Sequence, residues 1–376
     1  MLLDHFDKRV SRILTLHDDK NNPFHNYLLP LAMHNEALMH SLLALSSSHL
    51  SNTHPLNRDF EAAQPQHIGD ALRLLREGIG RNPGPDDTHL ATSLVLCLDS
   101  ICRGNIEGSY KPHLNAARTM LRQHGEEINP LALLGPHAEE TNPLRQFLYE
   151  FFKYHEVINS ITILNDEMQF CDDMEISEFK MSPSSSPSML GVFDGLFVHM
   201  LRIAQFRRVI RVRRMHGMQP VDGAMLIEAV GIDNDLHEWQ SPHEPGSPQY
   251  IASQLYLHCT WIYLWRTIQD RDDVYKIRAQ VELGLECLRQ LPENSGTQSN
   301  LLMPLFMLGC AAFYPEQRPE IVERFESLQK WSGLRNVLRA LNVVRKVWQL
   351  MDEGETKLSW DWEIIIKEMG YDFLIT

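Results

Sequence analysis

LLMPLFMLGCAAF, spanning Leu301 to Phe313, is followed by RPEIVERFESL from Arg318 and GLRNVLRALNVVRKVW from Gly333. The first stretch is too apolar for a helix lying on a surface. It is also too short for a bilayer, which needs about 20 apolar residues. It therefore predicts a helix buried inside a folded body. Pro304 falls in its first turn, where a missing N–H does no harm. Gly309 and Cys310 leave one face thin enough for another helix, or a ligand, to come close. The two stretches that follow repeat apolar residues at helical spacing, as helices packed on such a core would.

The same helical period runs through nearly every ordered part of the chain, and no alternating strand pattern is visible. Helices are predicted over 2–16, 23–34, 36–51, 66–80, 87–103, 107–124, 143–164, 189–216, 222–239, 249–269, 271–291, 300–313, 317–331, 334–352 and 359–369. Asn22-Pro23 and Asn142-Pro143 each pair an N-cap residue with proline at the first helical position. GRNPGPDDTH (Gly80 to His89) and QSPHEPGSPQ (Gln240 to Gln249) read as loops. MSPSSSPSM (Met181 to Met189) is polar and proline-rich and reads as a linker. Its Ser182 and Ser186 each precede a proline, so it is either a modification site or simply a solvated loop. The expected architecture is all-α, a multi-helix bundle of roughly 15 helices (residue numbers as above) that forms one body or two closely packed lobes. The lobes would be residues 1–180 and 190–376, joined by the linker at 181–189.

Composition narrows the function. With 376 residues and 43% apolar content, the chain can bury a sizeable core. A formal net charge of −14 argues against a general nucleic-acid binder, which must neutralise phosphates with basic surface. Scattered cysteines in a chain of this length suit a reducing compartment. The first twenty residues hold four acids and no apolar h-region, so no secretory signal is expected. No apolar run is long enough for a transmembrane span.

The order of elements resembles the C-terminal regulatory domain of fungal zinc-cluster transcription factors, of the sterol-uptake-regulator type. The resemblance rests on Pro304, Leu305, Phe306, Gly309 and Cys310; then Arg318, Ile321, Arg324 and Leu328; then Gly333, Asn336, Leu341, Val347 and Trp348. It also reaches NPFHNYLLPLAMHNEALMHSLLALSSSHL (Asn22 to Leu50) and YKPHLNAARTMLRQHG (Tyr110 to Gly125). A zinc cluster of that family packs its six cysteines into a short N-terminal run. Here the six cysteines stand at 97, 102, 171, 259, 287 and 310, and no pair has C-x₂-C spacing. The matching count is a coincidence. The resemblance implies a regulatory domain without its own DNA-reading cluster in this chain.

Two stretches are candidates for sites. RIAQFRRVIRVRR (Arg202 to Arg214) holds six arginines and no acid. Arg207, Arg208, Arg211, Arg213 and Arg214 could serve nuclear import or contact an acidic partner. Equally, Ile203, Phe206, Val209 and Ile210 punctuate the run at helical spacing, so it also reads as a folded helix with paired arginines. YIASQLYLHCTWIYLWRTI (Tyr250 to Ile268) is apolar around much of its circumference and should be central. By analogy with lipid-sensing members of the resembling family, Tyr256, Cys259, Tyr263, Met303, Phe306, Met307, Cys310 and Phe313 could line a ligand pocket. Met and aromatic side chains make adaptable walls. The same residues at the same spacing also describe ordinary core.

Catalytic signatures are missing. Asp172, Asp173 and Glu175, Asp270, Asp272 and Asp273, and Asn234, Asp235 and Glu238 lack the offsets of a magnesium–diphosphate site. None of the His-Glu pairs extends to H-E-x-x-H, and no G-x-S-x-G elbow, Walker loop or G-x-G-x-x-G occurs. The sequence thus predicts no enzyme, no cofactor, no metal and no membrane association. The resemblance implies a transcriptional regulator in the nucleus, with the cytoplasm as alternative. Its partners would be other transcription regulators or a small apolar ligand, with no sequence-specific DNA binding by this chain alone. The competing readings are a full activator whose zinc cluster lies upstream of this sequence, and a small-molecule-binding or enzymatic helical protein.

Overall fold

The computed structural model describes residues 1–17, 20–56, 58–81, 86–125, 142–163, 187–192, 194–268 and 274–376. Among these residues the chain forms sixteen α-helices and no strand. The only extended pairing among them is a single bridge between Glu107 and Asp372. The all-α expectation is met.

The N-terminal half begins with α1 (Leu2–Lys8), a 3₁₀ turn at Val10–Ile13, a π turn at Phe24–Leu28 and α2 (Leu29–Ala32). The long helices α3 (Glu36–Thr53), α4 (Arg58–Arg81), α5 (Asp87–Cys102), α6 (Lys111–Gly125) and α7 (Pro143–Thr162) follow. Short polar side chains start several of them. Asn35 Oδ1 accepts from Leu38 N at 2.9 Å, and Asp86 Oδ1 accepts from Thr88 N at 2.7 Å. Asn142 caps Leu144 N at 3.0 Å with Pro143 at the first helical position, as its sequence predicts. Residues 89–102 of α5 are all buried, and Thr92 and Ser100 bond the carbonyls one turn back.

The C-terminal half contains α8 (Leu196–Met215), α9 (Gly223–Glu238), α10 (Pro248–Ile268), α11 (Tyr275–Gln290) and α12 (Leu302–Ala311). It is completed by α13 (Arg318–Ser332), α14 (Asn336–Asp352), α15 (Thr356–Trp360) and α16 (Trp362–Glu368). α10 packs against α8, α9, α11 and α12; α12 packs against α13 and α14. One hydrophobic cluster runs from Phe6 to Ile375 and includes side chains of both halves.

Local expectations fail where tertiary contacts overrule them. α4 starts at Arg58 rather than after Pro65, and continues through that proline. Ser47 Oγ bonds Phe60 O at 2.6 Å, which anchors the early turn to α3. α8 starts at Leu196 rather than 189, because Gly191 and Gly195 take left-handed φ values near +87°. The backbone before it bonds elsewhere. Ser188 N and Met189 N both donate to Glu150 Oε1 at 2.8 Å, and Leu190 N donates to Asn300 Oδ1 at 2.8 Å. Ser188 and Met189, at the end of the linker expected over 181–189, are buried. The linker's Ser182 and Ser186 lie outside the described residues.

Candidate functional site

The eight residues expected to line a ligand pocket do converge, and they form a filled layer. Tyr256, Cys259, Tyr263, Met303, Phe306, Met307 and Cys310 are each at most 1% exposed, and Phe313 is half-buried at the edge. Tyr256 Oη donates to Asn300 O at 2.8 Å and meets Tyr154 Oη at 3.2 Å. Cys259 Sγ lies 3.8 Å from Pro304 O. Tyr263 stacks on Trp362 at 5.8 Å, Phe306 meets the same indole edge-on at 5.9 Å, and Phe313 stacks on Trp360 at 5.6 Å. The thin face at Gly309 is occupied by α14: a Cβ there would stand 2.8 Å from Val344 Cγ1, and Trp348 Nε1 donates to Gly309 O at 2.8 Å. Burial pushes the Cys310 thiol up to about 12, so it stays protonated.

The layer has a cation at its end. Arg266 is 1% exposed, and its guanidinium donates to Cys310 O at 2.5 Å, Ser359 O at 3.1 Å and Trp360 O at 2.6 Å. It also faces the rings of Trp360 at 4.8 Å and Trp362 at 5.0 Å. Burial lowers its pKa to about 10, which leaves it charged at neutral pH. Arg266 lies in the run Tyr250 to Ile268, whose sequence gives no hint of this role.

Beside it, the arginine run pairs with acids of its own chain, Arg207 from a buried position. Arg207 is 6% exposed and grips Glu363 with two bonds, Nε to Oε1 at 2.8 Å and Nη2 to Oε2 at 2.7 Å. Arg211 reaches Glu363 at 3.3 Å, Arg214 reaches Asp361 at 3.6 Å, and Arg213 reaches Asp222 at 2.7 Å. Arg208 is likewise engaged. Burial alone would raise the Glu363 carboxyl, but Arg207 and Arg211 outweigh it and hold it below the usual range. The acidic segment Asp361-Trp362-Glu363 that receives these arginines escaped the sequence reading. Its signal was an acid–indole–acid run opposite the acid-free helix.

A different region is open. A cavity of about 490 Å³ lies between the 3₁₀ turn of residues 10–13, the segment 293–301 and one face of α13. None of the eight expected pocket residues lines it, nor a second cavity of about 30 Å³. Its cations are Arg9, Arg12, Arg324 and Lys330, and its one lining acid is Glu293. Leu288, Leu301, Leu305 and Trp331 supply apolar wall. The Arg9 guanidinium donates to Trp331 O and stands 5.9 Å from the centre of the Trp331 ring. Close by, His5 Nε2 meets His49 Nδ1 at 2.9 Å, and His49 Nε2 meets Ser332 O at 2.9 Å. α1 is thereby docked on the end of α13. Of its four cations only Arg324 belongs to a stretch the sequence singled out for the resemblance.

The magnesium-type fragments gather no site. Asp172, Asp173, Glu175, Asp270, Asp272 and Asp273 lie outside the described residues, and Asp235 pairs with Arg202 at 3.0 Å. No group of three or more metal-ligating side chains forms among the described residues, and no helix among them is long and apolar enough to cross a membrane.

Comparison with known proteins supplies the context for this geometry. Over 132 residues, 32% of this chain, the sequence is 32% identical to sterol uptake control protein 2 of Candida albicans, and the match covers 18% of that protein. It is 36% identical over 85 residues to sterol uptake control protein 2 of Saccharomyces cerevisiae, 22% of this chain and 9% of that one. Against the transcriptional activator protein UGA3 of Saccharomyces cerevisiae it is 19% identical over 408 aligned positions, covering 99% of this chain and 76% of the activator. No solved structure matches the chain. The description "Fungal specific transcription factor domain" fits the whole of residues 1–376, through both the filled layer and the open cleft, and the chain belongs to that family.

Proposed function

We propose that this chain is the regulatory part of a fungal transcription regulator, working through a ligand or a partner. The observation that carries the reading is the family match over all 376 residues. The net charge of −14 supports it, since such a surface repels duplex DNA at long range. Base reading would come from a partner, or from a zinc cluster elsewhere in the same polypeptide. The site of action is the nucleus. The five arginines proposed for import make their contacts within the chain, so they would have to be released before an import receptor could read them.

In this reading the helical body has two arrangements of unequal affinity for a small apolar ligand or for another regulator's helices, and binding shifts their populations. The α10–α12 layer is the place for an apolar ligand. Because the layer is filled, entry requires Met303, Met307 and Phe306 to repack, which flexible thioethers permit. Tethering the chain to a heterologous DNA-binding domain upstream of a reporter tests the proposal. Reporter output is expected to differ several-fold from that of the DNA-binding domain alone in at least one growth condition. Output equal to that control across carbon, nitrogen and sterol regimes would overturn it.

A further inference from the structure

We infer that the cleft between residues 9–12, 293–301 and 324–331 is a binding site for a small organic polyanion, of the phosphate-ester or polycarboxylate class. Four cationic side chains line one concavity, against the single carboxylate of Glu293. This happens in a chain where acids outnumber Lys and Arg by 49 to 35. Elsewhere Arg207 is matched by Glu363 and Arg318 by Asp352 at 2.7 Å, while the buried Arg266 is held by three backbone carbonyls. Arg12, Arg324 and Lys330 make no ion pair with a described carboxylate. Like charges held together in a concavity raise each other's energy and focus a positive potential there.

The dimensions fit a metabolite rather than a nucleic acid. About 490 Å³ falls in the size range of small-molecule sites, roughly 300–1,000 Å³. A duplex needs a long basic face instead. The Trp331 indole offers apolar surface for a carbon skeleton, while Ser295, Gln298 and Ser327 add hydrogen-bonding groups at the walls. Arg9 is already oriented by the Trp331 carbonyl, so its planar donors need little further ordering. The floor is tight. A Cβ on Gly296 would lie 2.1 Å from Leu16 O, so the 293–301 wall and the N-terminal segment approach as closely as backbone allows.

The walls come from residues about 300 positions apart in sequence, which gives binding a consequence. An anion bridging Arg12 to Arg324 and Lys330 clamps the N-terminal segment to α13. It thereby stabilises the closed body over any state in which that segment has left.

The test uses the purified full chain, with pyrophosphate and citrate as separate probes at matched ionic strength. Calorimetric titration and thermal melts are read for the wild type, for Arg12→Glu, for Arg324→Gln, and for Lys357→Glu as a control on exposed surface away from the cleft. The expected result is one saturable site for at least one probe and a raised melting temperature. Affinity should fall tenfold or more in the two cleft variants and stay unchanged in the control. Binding of pyrophosphate alone assigns the phosphoryl class, and binding of citrate alone assigns the carboxylate class. The inference is overturned if neither probe binds up to about 10 mM, well past the 1 mM that corresponds to about −4 kcal/mol. It is also overturned if the control variant weakens binding as much as the cleft variants do.

Discussion

Arg207 and Arg324 belong to the same acidic chain and sit in opposite electrostatic settings. Arg207, with Arg266 beside it, is sealed among indole rings, carbonyls and the carboxylates of Asp361 and Glu363. Arg324 shares an open cavity with Arg9, Arg12 and Lys330, opposite one acid. The first cluster resolves its charge internally and fastens α8, α10 and the 359–363 segment together. The second leaves charge facing a space large enough for a ligand. The difference teaches that a basic cluster is to be judged by where its counter-charges lie. The conspicuous run at 202–214 meets carboxylates of its own chain, and the inconspicuous set gathered from 9, 12, 324 and 330 lines an open cavity.

The largest expected effect tests the sealed cluster. Arg207→Met should destabilise the chain by about 3–5 kcal/mol in chemical denaturation, because Glu363 would be left buried with weakened compensation. The double variant Arg207→Met with Glu363→Leu should recover most of that loss. A single variant as stable as the wild type would remove the central role given to the pair.

An intermediate effect concerns the docking of α1 beside the cleft. Burial, with Arg9, His5 and His54 nearby, lowers the His49 pKa to about 4. Between the ordinary histidine value of about 6.5 and that of the fold, the unfolded chain takes up a proton that the folded one refuses. Stability due to His49 is therefore present above pH 6.5 and is lost as the pH falls toward 4, by up to about 1.4 kcal/mol per pH unit. Melting curves of His49→Asn should be less steeply pH-dependent than the wild type across that window; identical slopes would exclude His49 as a titrating contact.

The smallest effect is the sharpest contrast. Arg12→Ala and Lys330→Ala should change the unliganded stability by no more than about 0.5 kcal/mol, as expected for side chains outside any ion-pair network. If either cost as much as Arg207→Met, the cleft cations would be structural and the two regions would not differ in kind.

Much of the fold was legible because helical period, N-caps and Gly/Pro punctuation are local. The caps at Asn142 and the close approach at Gly309 follow directly from neighbouring residues. What local reading could not supply was pairing at a distance. Tyr256, Met303 and Phe306 have the same spacing whether they enclose a ligand or each other, and only the positions of Trp362 and Val344 decide between the two. Likewise nothing near Arg207 announces Glu363, 156 residues further on. The cleft was invisible for the same reason, being assembled from three segments that share no motif.

The dependence of Arg207 and Arg266 on residues 359–363 also sets an order of events during synthesis. At about 5–20 residues per second, Glu363 leaves the ribosome roughly 8–30 s after Arg207. Through that interval the nascent helices α8 and α10 carry cations that cannot be buried without cost. The central layer therefore closes late, when the acid–indole–acid segment arrives, and until then these helices are a natural substrate for chaperones.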